Sequence, residues 1–173
     1  MNLSPSPALP GRVASLHLHP PEPGAALRGV SAIQVVEKRG IIDDCRYFDR
    51  ISRKTGQPSR RQVSLIEREL IDQHAAALGL VSLPPGVVRA NIETLGVDLV
   101  ALVGQRVRIG EAILHLYEPR TPCEKMDAIC SGLRERMQNG RQGVLAEVVR
   151  SGTIHLNDAI SVVAAAAAFQ EDP

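Results

Sequence analysis

Tryptophan is absent from this 173-residue chain, and two tyrosines and two phenylalanines bring the aromatic share to only 2%. A core must then rest on Val, Ile, Leu and Ala. Stacking platforms for nucleobases are scarce. Charge of one sign is also lacking: 20 Lys and Arg against 19 Asp and Glu leave a formal net charge of +1. With no global field for a polyanion, nucleic acid is not an expected partner, and any anion site has to be local. Cys45, Cys123 and Cys130 are an odd set without a C-x-x-C. Neither a disulfide framework nor a zinc or iron–sulfur cage is suggested, and a reducing, cytoplasmic setting fits best. The start of the chain has no basic region followed by an apolar run. The longest apolar block, Val162 to Phe169, is far short of the ~20 residues of a spanning helix, so no membrane segment is expected. Neither G-x-G-x-x-G nor G-x-x-x-x-G-K-[ST] occurs to cradle a nucleotide.

What is present reads as one domain of ordinary hydrophobicity, 44% apolar, long enough to bury about 70% of its unfolded surface. Residues 1–10, rich in Pro and Ser, are expected to form a loose leader, 11–163 the domain, and 164–173 a short helix-prone or frayed tail. Period-two alternation predicts strands at Arg12–His19, Ser31–Val36, Val87–Thr94, Gln105–Ile109 and Glu111–Glu118. Three more follow at Val144–Val149, Thr153–Leu156 and Ala159–Val163. Helical spacing over Gln62–Leu78, with a Ser64/Glu67 capping box and Gly79 as a stop, predicts the clearest helix. A second should run from the Cys123 region to Met137, with Gly132 as a possible break and Cys130 in its core face. Short strands with tight turns argue for a closed or nearly closed sheet carrying two or three helices, an α+β and mainly β architecture.

The most informative stretch is Arg120-Thr121-Pro122-Cys123-Glu124-Lys125-Met126. Thr121 as cap, Pro122 at the first helical position and Glu124 three residues on would form a capping box. Cys123 would then lie in a first turn, where backbone N–H groups, the helix dipole and two neighbouring cations favour a thiolate. The competing reading is a small buried hydrophobe. Elsewhere two readings also stand. Arg89, Asn91 and Glu93 share a strand face, suited either to a phosphate and an amide edge or simply to solvent. Arg50, Arg53, Lys54, Arg60 and Arg61 crowd one polar loop, able to gate an anion or merely solvated. His17 and His19 read as exposed strand histidines, since no third ligand for a metal lies near. Gly40 to Tyr47 looks like a site rim.

Several segments in order, Arg89-Ala90-Asn91-Ile92-Glu93-Thr94, Val107-Arg108-Ile109-Gly110, Pro119-Arg120-Thr121-Pro122-Cys123 and Gly152-Thr153-Ile154-His155-Leu156-Asn157-Asp158, resemble the MOSC domain, the C-terminal module of molybdenum cofactor sulfurases. The resemblance spans roughly residues 11 to 163. It implies a β-barrel-like fold and one sulfur-handling cysteine, Cys123, as molybdenum ligand or persulfide carrier. It further implies that Arg89, Asn91 and Arg120 hold the pterin phosphate or shape the cleft, with Asp44 and Arg46 as further contacts. The family's early G-x-x-G-D turn is altered, since Gly40-Ile41-Ile42-Asp43-Asp44-Cys45-Arg46 places Asp43 where a glycine is expected. Asn157 likewise replaces a glycine, a milder change because Asn tolerates the left-handed conformation.

Three functions are compatible with this resemblance. The first is a molybdenum-cofactor oxidoreductase reducing N-hydroxylated small molecules, such as hydroxylaminopurines or amidoximes, with electrons from a partner reductase, since no cysteine set for an iron–sulfur cluster exists. The second is a sulfur carrier or sulfurtransferase whose persulfide comes from a partner cysteine desulfurase, to which pyridoxal phosphate would belong. The third is a non-catalytic binding module. A soft thiolate ligand suits molybdenum, and Arg with backbone N–H groups suits a phosphate.

Overall fold

The computed structural model describes residues 10–164; the expected leader, apart from Pro10, and the tail, apart from Ala164, lie outside them. Among the described residues eleven strands and three short α-helices follow one another. The strands are β1 (Arg12–Leu18), β2 (Arg28–Val30), β3 (Ala32–Val36), β4 (Gly40–Ile41), β5 (Val63–Glu67), β6 (Ile92–Leu95), β7 (Arg106–Ile109), β8 (Ala112–Pro119), β9 (Val144–Arg150), β10 (Gly152–His155) and β11 (Ile160–Val162). The helices are α1 (Arg68–Ala77), α2 (Lys125–Ile129) and α3 (Leu133–Arg136).

Eight strands form one sheet in the order β11-β7-β8-β9-β5-β6-β1-β2, and β10-β3-β4 form a second. All described pairs are antiparallel except β5 with β6. The large sheet curls until its β11 end meets the start of β1: Ile160 N–H donates to Gly11 O at 2.7 Å and Val13 N–H to Asp158 O at 3.0 Å. A single bridge, Arg12 to Ala159, joins them, so the sheet approaches a barrel but is not closed by a continuous ladder. Its interior is the aliphatic core expected of so ring-poor a sequence, with Leu16, Leu65, Ile92, Ile109, Leu114 and Leu116 all buried. A second apolar cluster lies between the outer face of the sheet and the helices, where Ile66 and Ile71 meet Met126, Leu133 and Met137.

Two helical expectations need correction. Val63–Glu67 is a strand, buried along its whole length, and only Arg68 onward is helical. Lying between β6 and β9, with Leu65 in one cluster and Ile66 in the other, β5 is apolar on both faces and lacks the alternation that marks a half-exposed strand. The expected Ser64/Glu67 box therefore does not form, and Glu67 makes no side-chain cap. In the second case, α2 starts at Lys125 with Glu124 as its N-cap and no side-chain cap bond. Cys123 stands just before the helix rather than inside its first turn. Gly132, at φ +86°, does divide the helical stretch in two, and half-buried Cys130 packs on the second cluster.

Candidate functional site

The thiol of Cys123 is exposed at a narrow cleft of about 50 Å³ that Arg46, Arg61, Arg89, Arg120 and Lys125 also line. Among the described residues no carboxylate lines it. In a chain with a net charge of only +1, five cations on one cleft form a local anion-attracting field. The concentration arises from four separate pieces of chain. Arg120 follows β8, where its N–H donates to Gly143 O at 2.9 Å. Arg89 precedes β6 in the left-handed region, φ +63°. Arg46 sits in the turn after β4, and Arg61 enters β5 from the polar loop.

Arg120 is 7% exposed. Among the described residues its guanidinium reaches only main-chain oxygens, Gln142 O and Arg89 O at 3.3 Å and Val88 O at 3.5 Å. Burial pushes it down to about 10, with Arg61 and Arg46 adding repulsion. Burial likewise lowers Arg89, helped by Arg46. The Nε atoms of Arg61, Arg89 and Arg120, and Oε1 of Gln142 in the same wall, are buried without a hydrogen-bond partner among the described residues. Buried cations without acidic partners are costly unless an anion joins them. These residues therefore fit the phosphate of a phosphorylated cofactor, and the exposed sulfur fits a soft metal.

Behind this wall stands Asp44, which is fully buried. Its Oδ2 accepts from His19 Nδ1 at 2.8 Å, the His19 N–H at 3.0 Å and Asn91 Nδ2 at 2.9 Å. Its Oδ1 accepts the Arg46 and Tyr47 N–H groups at 3.1 and 3.0 Å. Burial would raise the carboxyl, but these bonds, His19 foremost, hold it below the usual carboxylate range. Asn91 donates also to His17 O and accepts from Ser64 N and Oγ, which uses its amide completely. Asp44 and Asn91, expected at the cofactor, thus do not reach the cleft. They hold its wall from within, because their polar atoms are spent on buried partners. Glu93 is buried as well, paired with Arg68 at 3.1 Å, so the Arg89, Asn91, Glu93 trio is not a solvated face.

Asp43 takes φ +66°, as does Asn157, each adopting the left-handed conformation that a glycine would supply. Of the five loop cations only Arg61 lines the cleft; Arg60 instead pairs with Glu147 at 3.1 Å.

Three residues of the wall were not singled out as site residues, though Tyr47 closes the stretch expected as a rim. His19, 3% exposed, lines the cleft; with Nδ1 bound to Asp44, its Nε2 is the ring nitrogen left for a ligand. Tyr47 packs edge-on against His19, centroids 5.2 Å apart. Arg46, Arg50 and Arg61 lie 5.4, 5.7 and 5.3 Å from its ring centre, a cation–π cluster that gathers like charges around one ring. Gln142 is the third. One signal for Tyr47 was available: with four aromatic residues in the chain, one within an Asp-Cys-Arg-Tyr turn was a candidate anchor.

A family model described as the MOSC domain matches residues 49–161. Among solved structures, the YuaD protein from Bacillus subtilis superposes with a TM-score of 0.75 at 20% identity, covering 89% of this chain and 96% of that one. YiiM from Geobacillus stearothermophilus gives 0.68 at 17% identity, covering 89% and 75%. YiiM from Escherichia coli gives 0.63 at 20% identity, covering 89% and 70%. No curated protein matches the chain.

Proposed function

We propose that this chain, which belongs to the MOSC domain family, binds molybdenum cofactor at Cys123 and reduces N-hydroxylated compounds with electrons from a separate reductase. The observation that carries this reading is the exposed thiol at a cleft with five cations and no carboxylate. Arg61, Arg89 and Arg120 would hold the cofactor's phosphate, and Cys123 would be the protein's ligand to the metal. When bound, the cofactor would supply two-electron redox chemistry and a place for the departing oxygen.

The chain's own groups would then supply orientation and protons. Conversion of R–NH–OH to R–NH2 and water takes two electrons from the partner and two protons. Asp44 fixes the His19 ring through Nδ1, so Nε2 would pass a proton toward the leaving oxygen. Lys125 and Arg89 at the mouth would repel a cationic product and favour neutral substrates. With cofactor loaded and a chemically reduced viologen as donor, anaerobic turnover of an amidoxime to an amidine is expected for the wild type. It should fall at least 100-fold in Cys123→Ser and about 10²-fold or more in His19→Gln, the usual range for a lost general acid. Unchanged turnover in Cys123→Ser would overturn the reading.

A persulfide carrier is the second reading, favoured by the same exposure of the sulfur, since a carried sulfur must be reachable by donor and acceptor. A mass gain of one sulfur on Cys123 after incubation with a cysteine desulfurase would support it. The non-catalytic reading is drawn from the substitution at Asp43, which takes the left-handed φ of +66° that a glycine adopts readily.

A further inference from the structure

A cavity of about 460 Å³ lies where the end of β5 and the start of α1 face residues 97–100 and the turn before β9. It shares no lining residue with the thiol cleft, and its charge is of the opposite sign. Among the described residues three carboxylates, Glu67, Glu69 and Asp98, line it against one guanidinium, Arg141. Each carboxylate spends one oxygen on a backbone N–H: Glu67 Oε1 accepts from Leu99 at 2.9 Å, Glu69 Oε1 from Gly96 at 2.6 Å and Asp98 Oδ1 from Ala101 at 3.1 Å. Each keeps a second oxygen. Glu67 is the telling case, because the residue is only 8% exposed and its Oε2 is buried without a hydrogen-bond partner among the described residues. Burial pushes this carboxyl up; the Leu99 N–H opposes the rise, while Asp98 and Glu69 add repulsion. Pinning residues 96–101 uses one oxygen of each carboxylate and gives no reason to bury the other of Glu67. A cation beside it would offset that cost.

We propose that this cavity binds an aliphatic diamine or polyamine, with one primary ammonium seated among the second oxygens of Glu67, Glu69 and Asp98 and the methylene chain laid along Leu70, Val97 and Val100. An ammonium carries three N–H donors, one for each oxygen left over. A second ammonium answers the charge, since three negative groups against one positive leave −2. The three apolar side chains gain from contact with methylenes, which a hydrated inorganic ion does not offer. A divalent metal is also less suited because, among the described residues, no group of three His, Cys, Asp or Glu is placed to hold one. A quaternary ammonium has no N–H to donate, and among the described residues no aromatic ring lines the cavity to take it by cation–π contact. The site is separate from the reductase reading and needs neither Cys123 nor a cofactor.

The test is a calorimetric titration of the full-length protein with 1,5-diaminopentane at pH 7 and low salt, with methyl NMR to locate the ligand. Binding is expected, with shifts at the Leu70, Val97 and Val100 methyls. Glu67→Gln keeps an oxygen for the Leu99 N–H while removing the charge, and it should weaken the diamine by about tenfold or more. Arg141→Gln, at an exposed position, removes the competing cation and should tighten the diamine by about threefold. That gain is one a damaged fold does not produce, so it decides the matter even if Glu67→Gln fails to fold. Pentylamine, with a single ammonium, should bind about threefold more weakly or worse, and the permethylated diamine should not bind. No binding of 1,5-diaminopentane, or unmoved Leu70, Val97 and Val100 methyls, would overturn the proposal. So would equal affinity for the permethylated diamine, which would reduce the effect to charge alone. Equal affinity for pentylamine would make the site one for a single ammonium, such as a lysine side chain, and displacement of the diamine by an equal concentration of calcium would make it a metal site. Either outcome contradicts a polyamine site.

Discussion

A guanidinium in the position of Arg120, buried and held only by carbonyl oxygens, lowers the stability of the empty protein below what an apolar side chain would give. Arg120→Met is therefore expected to be at least as stable as the wild type without ligand. Inorganic phosphate should separate the two. At 100 times its Kd a bound anion contributes about 2.7 kcal/mol, a rise of roughly 5–10 °C in Tm for a chain of this size. A thermal melt in phosphate should show that rise in the wild type and less than half of it in Arg120→Met. Asp44 has the opposite sign. Its folded pKa is depressed, so its stabilisation is fully present above the ordinary carboxylate value of about 3.9 and is lost as pH falls through the folded value. Asp44→Asn, which turns an amide N–H toward donors, should cost on the order of 3 kcal/mol at pH 7. The gap from wild type should narrow below about pH 4 in urea melts. Cys123, Arg89 and Arg120 were legible as single residues because their motif carries them. Asp44 and Asn91 were legible as important but not as internal, since a one-dimensional pattern does not show which polar atoms already have partners.

At the scale of elements, the site depends on how closely β5 passes the start of β9. Gly143, φ +80°, lies there, and a Cβ on it would come within 2.0 Å of Leu65 O and 2.8 Å of Ile66 Cα, both backbone atoms. Gly143 O also receives the Arg120 N–H. Gly143→Ala is expected to destabilise by about 2–4 kcal/mol through strain and overpacking, measurable in urea, and to move Arg120 enough to remove phosphate binding. Most strands were readable from alternation, among them β1, β3 and β7 to β11, because one face of each meets the core and the other does not. The chain from Val63 was not. Val63, Ile66 and Leu70 fall at helical spacing that runs straight into α1, and a strand buried on both faces offers no period of two to contradict it. The region of α2 was misread for a related reason: Thr121-Pro122-Cys123-Glu124 satisfies the rules for a helix start, yet the backbone of Arg120 is bound to Gly143, and the first turn forms later, at Lys125.

For the whole molecule, a nearly neutral chain concentrates five cations on one cleft by bringing together the turn after β4, the end of the polar loop, the approach to β6 and the end of β8. That convergence was not visible in composition, which showed only balance, and it follows from a sheet that curls until β11 meets β1. The curling puts strand ends remote in sequence around one opening, with the exposed sulfur beside them. This opening is proposed to hold molybdenum cofactor by its metal on Cys123. The direct measurement is the molybdenum and pterin content of protein purified from a host that makes the cofactor. Close to one of each per chain is expected for the wild type, with molybdenum lost from Cys123→Ser and pterin lost from a protein lacking both Arg89 and Arg120. Wild-type protein carrying neither, or Cys123→Ser retaining its molybdenum in full, would contradict the claim.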